Sequence, residues 1–478
     1  MKKYLLTCLV SLMVVLNGCY KDDIDDLNDK YDKLSGEQQA LQEEQQRQAE
    51  LLKNYQALLN ALNQKLTVTG FSETTEGYLI TFSDGSTMEV KHGNVGQDGV
   101  DGTDGQSGID GTNGQDGTSA PVITSIKQIG NQLVFFFSDG STIRISMFPT
   151  DFSKGTFILN EGNMSNETGK LTYIDPYGVI YDSAYIKVNG SKLGNVCQDM
   201  FIYKDKMYIM SQNGKNDGRL VIADAKTLKK EQGFDAEISV TWPTHVAVTS
   251  YDNIYIRSNN GIHRFNPQTS TLTAISGSSG AAKNRMVVVN DKVFAFASSS
   301  ILVLQDGNDA VIQTVDLGQT ITGIIPSNDG KIWVSCSGSP SLIIRFDPDT
   351  YNIIDQHQIS EISIGAGWGA SPAISAKDDT LYFSNASFII YRHVFSTNET
   401  TLMGDVRDWV AGVTVVYNNL AVHPTTGNVY FNSIKSYATY NTDSYISVFN
   451  FNKTEKLVNN YKGYTSFPAG IYFPENYN

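Results

Sequence analysis

The chain has 478 residues, and its 50 acids against 36 bases leave a formal charge of −14. The excess is uneven: residues 20–154 carry 21 acids and 10 bases, whereas residues 155–478 carry 29 and 24. A basic footprint for nucleic acid is excluded, and the acidity serves solubility and distance-keeping, not catalysis.

At the start, Lys2 and Lys3 precede an apolar run from Tyr4 to Leu16 that ends in Leu16-Asn17-Gly18-Cys19. The run is shorter than the ~20 residues a membrane span needs, so residues 1–18 read as a signal peptide. The cysteine boundary resembles a bacterial lipobox, in which cleavage leaves a lipidated cysteine, here Cys19, as the new N-terminus. Tyr20-Lys21-Asp22-Asp23, just behind it, resembles the surface-export signal of Bacteroidota lipoproteins. The alternative is an ordinary acidic helix start. The resemblance implies a lipid-anchored protein on the extracellular face of the outer membrane. Of the remaining cysteines in the mature chain, Cys197 and Cys336 fall in distant repeats and are expected as two buried thiols.

Residues 19–66 hold a 4-3 spacing in which Ile24, Tyr31, Gln38, Gln45, Leu52, Leu59 and Leu66 alternate with Leu27, Leu34, Leu41, Gln48, Tyr55 and Leu62. Ten of the thirteen are apolar, which predicts a coiled coil and therefore a homo-oligomer, a trimer before a dimer. Residues 93–120 repeat glycine every third position from Gly93 to Gly117. That period suits a collagen-like triple helix, but five aspartates, no base and no proline favour a hydrated extended linker over it. The flanking segments 67–92 and 121–150 resemble each other around Ser83-Asp84-Gly85-Ser86 and Ser138-Asp139-Gly140-Ser141, and each is expected to form a β-hairpin. Isolated hairpins are marginal, so these need partners. The parts together describe a stalk.

From residue 155 to 478 the pattern changes. Phe157, Tyr208, Tyr255, Phe294, Trp333, Tyr382 and Tyr430 each follow a turn at the same place in a strand, separated by 51, 47, 39, 39, 49 and 48 residues. One four-stranded blade consumes ~40–50 residues, so the expected fold is mainly β, a seven-bladed β-propeller. A second repeated element, apolar strand then acid or Asn then turn, includes Tyr173-Ile174-Asp175, Val221-Ile222-Ala223-Asp224 and Arg345-Phe346-Asp347. Only Phe157 lacks a preceding strand, and Ala469-Gly470-Ile471-Tyr472-Phe473 is expected to supply it, leaving no open edge. A two-sheet sandwich would not give seven matching units.

The propeller offers little chemistry. No two of the six histidines share a metal-ligand spacing, and no His-Glu-x-x-His, Cys-x-x-Cys or Gly-x-Ser-x-Gly occurs. No metal, cofactor or enzymatic activity is expected. The loops leading into each inner strand, at the channel mouth, are richer. They carry Gln198, Asp199, Trp242, His245, Arg285, Trp368 and Phe467, flat apolar faces beside polar edges that suit a small molecule or a glycan. The alternative is that Trp242 and Trp368 plug the channel and that Arg285 pairs with Asp199.

The opening Gly155-Thr156-Phe157-Ile158-Leu159-Asn160-Glu161-Gly162-Asn163, the stretch Leu193-Gly194-Asn195-Val196-Cys197-Gln198-Asp199-Met200 and the closing Phe467-Pro468-Ala469-Gly470-Ile471-Tyr472-Phe473 resemble Bacteroidota surface lipoprotein propellers of the YncE-like type. That family includes cobalamin-capturing lipoproteins that cap TonB-dependent transporters. The resemblance implies extracellular ligand capture for uptake with such a transporter. The stalk departs from the cobalamin binders and favours, as an alternative, a stalked adhesin with a host or matrix partner.

Overall fold

The computed structural model of the chain describes residues 2–64, 66–75, 77–91, 122–129, 132–164, 167–365, 371–418 and 420–477. The glycine repeat, Trp368 and the side chain of Cys19 lie outside the described residues. The chain divides into two compact units, residues 1–148 and 149–478.

In the smaller unit one helix runs over Lys2–Asn63. Among the described residues no helix is long and apolar enough to cross a membrane. Near its C-terminal end Asn54, Leu58 and Ala61, spaced four and three apart, are buried on one face. In the 4-3 stripe expected as an oligomer seam, the leucines along the helix are exposed, with Leu27 at 67%, Leu34 at 66% and Leu52 at 61%, whereas Leu66 at its end packs partly buried against the sheet core.

The two expected hairpins are each extended by a further strand. Val68–Glu73 pairs antiparallel with Gly77–Phe82, which pairs with Thr87–Lys91. Likewise Ile123–Ile129 pairs with Gln132–Phe137, and that with Thr142–Ser146. Both hairpins stand, each within a three-stranded sheet, where the third strand satisfies backbone groups that a bare hairpin leaves open. Both tight turns use the same chemistry: Gly85 and Gly140 have φ 84° and 81°, and the Asp84 and Asp139 carboxylates accept from the Ser86 and Ser141 amides at 2.9 Å. The inner faces meet in one core, where Ile80, Phe82 and Met88 pack with Leu133, Phe135, Phe137 and the helix residues Leu58 and Ala61.

The larger unit contains seven sheets among the described residues. The first six follow in sequence, beginning with Asn195–Tyr203, His245–Ser250, Val287–Val289, Ile321–Pro326, Ile374–Lys377 and, in the sixth, Val415–Val416. The seventh joins the two ends of the unit: Pro468–Tyr472 pairs antiparallel with Thr156–Asn160, placing Tyr472 opposite Phe157. All seven repeated aromatics fall on the second strand of a sheet and are buried, because the turn before them fixes which alternate residues face inward.

Apolar clusters weld each sheet to the next. Val246 and Phe265 pack on Tyr208 and Phe234, Phe294 on Phe346 and Val334, and Ile471 and Phe473 on Tyr430 and Val448. The Cys197 amide donates to the Glu161 carbonyl at 3.0 Å, which brings the seventh sheet back to the first. This cyclic order of antiparallel sheets is that of a β-propeller. Cys197 and Cys336 are both buried free thiols.

Candidate functional site

The loops that precede the innermost strands and those that join second to third strands share one face of the propeller. At three of the entries a non-glycine residue adopts a left-handed backbone: Val196 at φ 55°, Trp242 at 55° and Phe467 at 40°. Such conformations cost of order 1–3 kcal/mol each and persist where the surroundings enforce them, commonly at sites of function. The ladders slip beside two of them, between Cys197 and Asp199 and between Pro468 and Gly470. The slips redirect the side chains that follow.

Asp199 is buried behind this face and holds together strands from several sheets. Its Oδ2 accepts from the Val246 amide and its Oδ1 from the Tyr472 hydroxyl, both at 3.0 Å. Arg285 Nε lies 3.6 Å from the same Oδ1. The guanidinium rests 3.9 Å above the Tyr472 ring, a charged stack on an aromatic face. Gly470 makes room for it, since a Cβ there would meet Arg285 Nη2 at 2.0 Å. Burial pushes the Asp199 carboxyl up to about 6, against the opposing pull of Arg285. First, second, third and seventh sheets are therefore tied at one point.

The structure thus pairs Asp199 with Arg285. His245 is fully buried, with Nδ1 2.9 Å from the Thr244 hydroxyl. Gln198 is also buried; its amide nitrogen contacts the Cys197 carbonyl at 3.4 Å, and its Oε1 has no hydrogen-bond partner. Trp242 is 51% exposed. Of the residues expected at the mouth, Phe467 lines a cleft.

That cleft, of about 500 Å³, is walled by Tyr417, Tyr437 and Phe467, with Met164 and Val196 beside them and Glu161 among its lining. Phe467 is fixed from behind by Tyr440, with ring centroids 4.3 Å apart and planes 22° from parallel. Tyr440 is itself held by its hydroxyl, which donates to Glu167 at 2.9 Å. Tyr417 stands at 57° to Phe467, and Tyr437 is largely exposed. Glu161 is only 9% exposed. Its Oε2 accepts from the Tyr417 hydroxyl at 3.0 Å. Burial raises its carboxyl above the usual range, opposed by the Lys283 charge and by hydrogen bonds from Tyr417 and Gln198.

Sequence reasoning missed Glu161, Tyr417 and Tyr437 because they come from the seventh and sixth sheets, far apart in the chain. A signal for Glu161 existed: a carboxylate directly after the buried strand Thr156–Asn160 is costly unless it is used. Spacing was also silent on the histidines. His357 Nδ1 and His393 Nε2 approach to 3.0 Å across neighbouring sheets. Among the described residues no group of three His, Cys, Asp or Glu is placed to hold a metal.

Residues 154–474 match the family model described as "Domain of unknown function (DUF5074)", so the chain belongs to that family. Comparison with the curated proteins found no match. Among solved structures, the chain is similar to a quinonprotein alcohol dehydrogenase-like protein from Bacteroides thetaiotaomicron VPI-5482. The TM-score is 0.52 and the identity 15%, over 72% of this chain and 84% of that one. A weaker likeness, TM-score 0.40 at 12% identity over 56% and 86% of the two chains, is to the β-propeller domain of Cps50 (Swd1) from Myceliophteria thermophila. At these identities the likeness concerns the fold alone.

Proposed function

We propose that this DUF5074 protein is a non-enzymatic cell-surface lipoprotein whose propeller captures an extracellular ligand for uptake with a TonB-dependent transporter. The seven sheets read as the blades of one YncE-like ring, and Cys19 as the lipidated anchor on the extracellular face of the outer membrane. The observation that carries capture is the cleft: an open space with aromatic walls, a rigid Phe467 and a buried carboxylate. Its volume, about 500 Å³, falls in the ~300–1,000 Å³ range of small-molecule sites. It suits one or two sugar rings or a compact small molecule, whereas a whole corrinoid would seat only a part of itself there.

The test is isothermal titration of the full chain with cyanocobalamin, followed by a glycan array, on wild type and Phe467→Ala. Binding that is lost in the variant, with an unchanged melt, supports capture at the cleft. Binding untouched by the variant removes the cleft from the reading. For the anchor, Cys19→Ala is expected to release the protein from the membrane fraction.

A second reading, a stalked adhesin for a host or matrix partner, is favoured by the exposed apolar stripe on the helix. That stripe fits a coiled coil that would present several propellers together.

A further inference from the structure

We propose that the cleft receives an alkylated ammonium group, that is, a small organic cation whose nitrogen sits beside the Glu161 carboxylate among the faces of Tyr417, Tyr437 and Phe467. The inference rests on the reading that the cleft is where the ligand binds, and it narrows that reading to one chemistry.

Charge is the first argument. The lining contains one ionisable acid, Glu161, and no base, so a phosphate, sulfate or carboxylate would enter against a like charge. Glu161 is 9% exposed and, when ionised, is only an acceptor. Two protein donors reach it, the Tyr417 hydroxyl at 3.0 Å and the Gln198 amide. Neither carries a charge. A carboxylate so withdrawn from water gains most from a cation brought against it.

The rings are the second argument. A cation within ~6 Å of an aromatic centroid is attracted by the ring quadrupole, more strongly when it has shed its water. Here three such rings face the same space as the carboxylate. Phe467 is held at φ 40° and stacked on Tyr440, so its face is presented before any ligand arrives. Tyr437, 58% exposed, stacks beside Phe467 with centroids 6.1 Å apart and planes 27° from parallel, so the two rings form one wall of the cleft. Met164 adds a polarizable thioether to the rim. Alkylation of the ammonium matters because its methyl groups satisfy the apolar walls, whereas a bare ammonium would leave N–H donors unmatched.

Lys283 gives the proposal a sign. Its charge acts on Glu161 although it does not line the cleft. It therefore competes with a cationic guest, and its removal should tighten binding. A neutral saccharide stacked on Phe467 would feel no such competition.

The experiment is titration calorimetry of the full chain with choline and tetramethylammonium, at low and high salt. Wild type is expected to bind both, more weakly at high salt. Glu161→Gln should weaken binding on the order of a hundredfold. Tyr437→Ala, a surface change that leaves the core intact, should weaken it about tenfold. Lys283→Gln should strengthen it severalfold. Silence with both probes, or equal binding by wild type, Glu161→Gln and Tyr437→Ala, overturns the assignment. A glycan bound by wild type and Glu161→Gln but lost in Tyr437→Ala would overturn the ammonium chemistry and leave capture at the cleft standing. A ligand bound equally by wild type and Tyr437→Ala would overturn both.

Discussion

The two units handle apolar surface differently. In the propeller unit each sheet lies against the next, and the cycle closes when Pro468–Tyr472 pairs with Thr156–Asn160. Among its described residues no apolar stripe of comparable length is left without a cover. The smaller unit also builds a core, from two three-stranded sheets and the end of its helix. Yet the same helix leaves Ile24, Leu27, Tyr31, Leu34, Leu41 and Leu52 in water. The lesson is that, among the described residues, one unit covers its apolar faces within the single chain while the other leaves an apolar stripe in water.

The strongest way to break that contrast is to open the closed unit. Removing residues 467–478 strips the partner from Thr156–Asn160 and cuts the Tyr472 contact to Asp199. The expected result is loss of the cooperative melt and a rise in aggregation, since a bare inner strand is an open edge. Calorimetry and light scattering read both.

A smaller cut tests whether the units are independent. Phe294→Ala empties a fully buried site between the third and fourth sheets and should cost ~3–5 kcal/mol. Leu58→Ala in the helix core should cost ~2–5 kcal/mol. Each should lower its own calorimetric transition and leave the other in place. A single transition moved by both variants would contradict the division.

Next in size is the stripe itself. Replacing Leu27, Leu34 and Leu41 with Ser is expected to convert an oligomer to a monomer in light scattering while the propeller transition stays where it was. A wild type that is already monomeric would mean the stripe is covered by something else.

The smallest effect is in pH. His393 is buried beside His357, and burial first, then the neighbouring ring, pull its pKa down to about 4. Its unfolded value lies near ~6.5, so between these values the unfolded chain binds the extra proton, and stability falls as the solution is acidified. Asp199 works the other way. With its carboxyl at about 6 and an unfolded value of ~3.9, the folded chain binds the extra proton in that window, and stability rises on acidification. Melts of wild type from pH 7 to 4 should show partial cancellation. His393→Gln should expose the Asp199 slope and Asp199→Asn the His393 slope.

Much of the fold could be read before any coordinates. Period-2 apolar strands between Asp-, Asn- and Gly-bearing turns set register locally, so Tyr208, Tyr255 or Phe294 needed only its neighbours to announce a second strand. Even the closing strand was legible, because Ala469-Gly470-Ile471 matches the inner strands that begin other sheets. The added strands Val68–Glu73 and Ile123–Ile129 were missed: exposed polar residues stand side by side in them, Ser72 with Glu73 and Lys127 with Gln128, on both faces of the strand, and so break the alternation. The site was hardly legible. Tyr417 and Glu161 meet only because the sixth and seventh sheets are neighbours, and His357 meets His393 only across two sheets. Sequence spacing carries no information about such pairs. Asp199 and Arg285 could be named as residues of the mouth, but whether they faced a ligand or each other depended on Gly470 clearing space for the guanidinium.

The pairing of Pro468–Tyr472 with Thr156–Asn160 also sets an order of events in the life of the chain. A strand near the start of the propeller must wait for its partner about 310 residues later, so this unit cannot settle before that later strand has been synthesised. Loop closure over so long a separation is slow. The waiting chain would hold Phe157, Ile158 and Leu159 uncovered until then. A chaperone that shields inner strands would protect the interval, and the smaller unit, whose contacts are nearer in sequence, would by then already be folded.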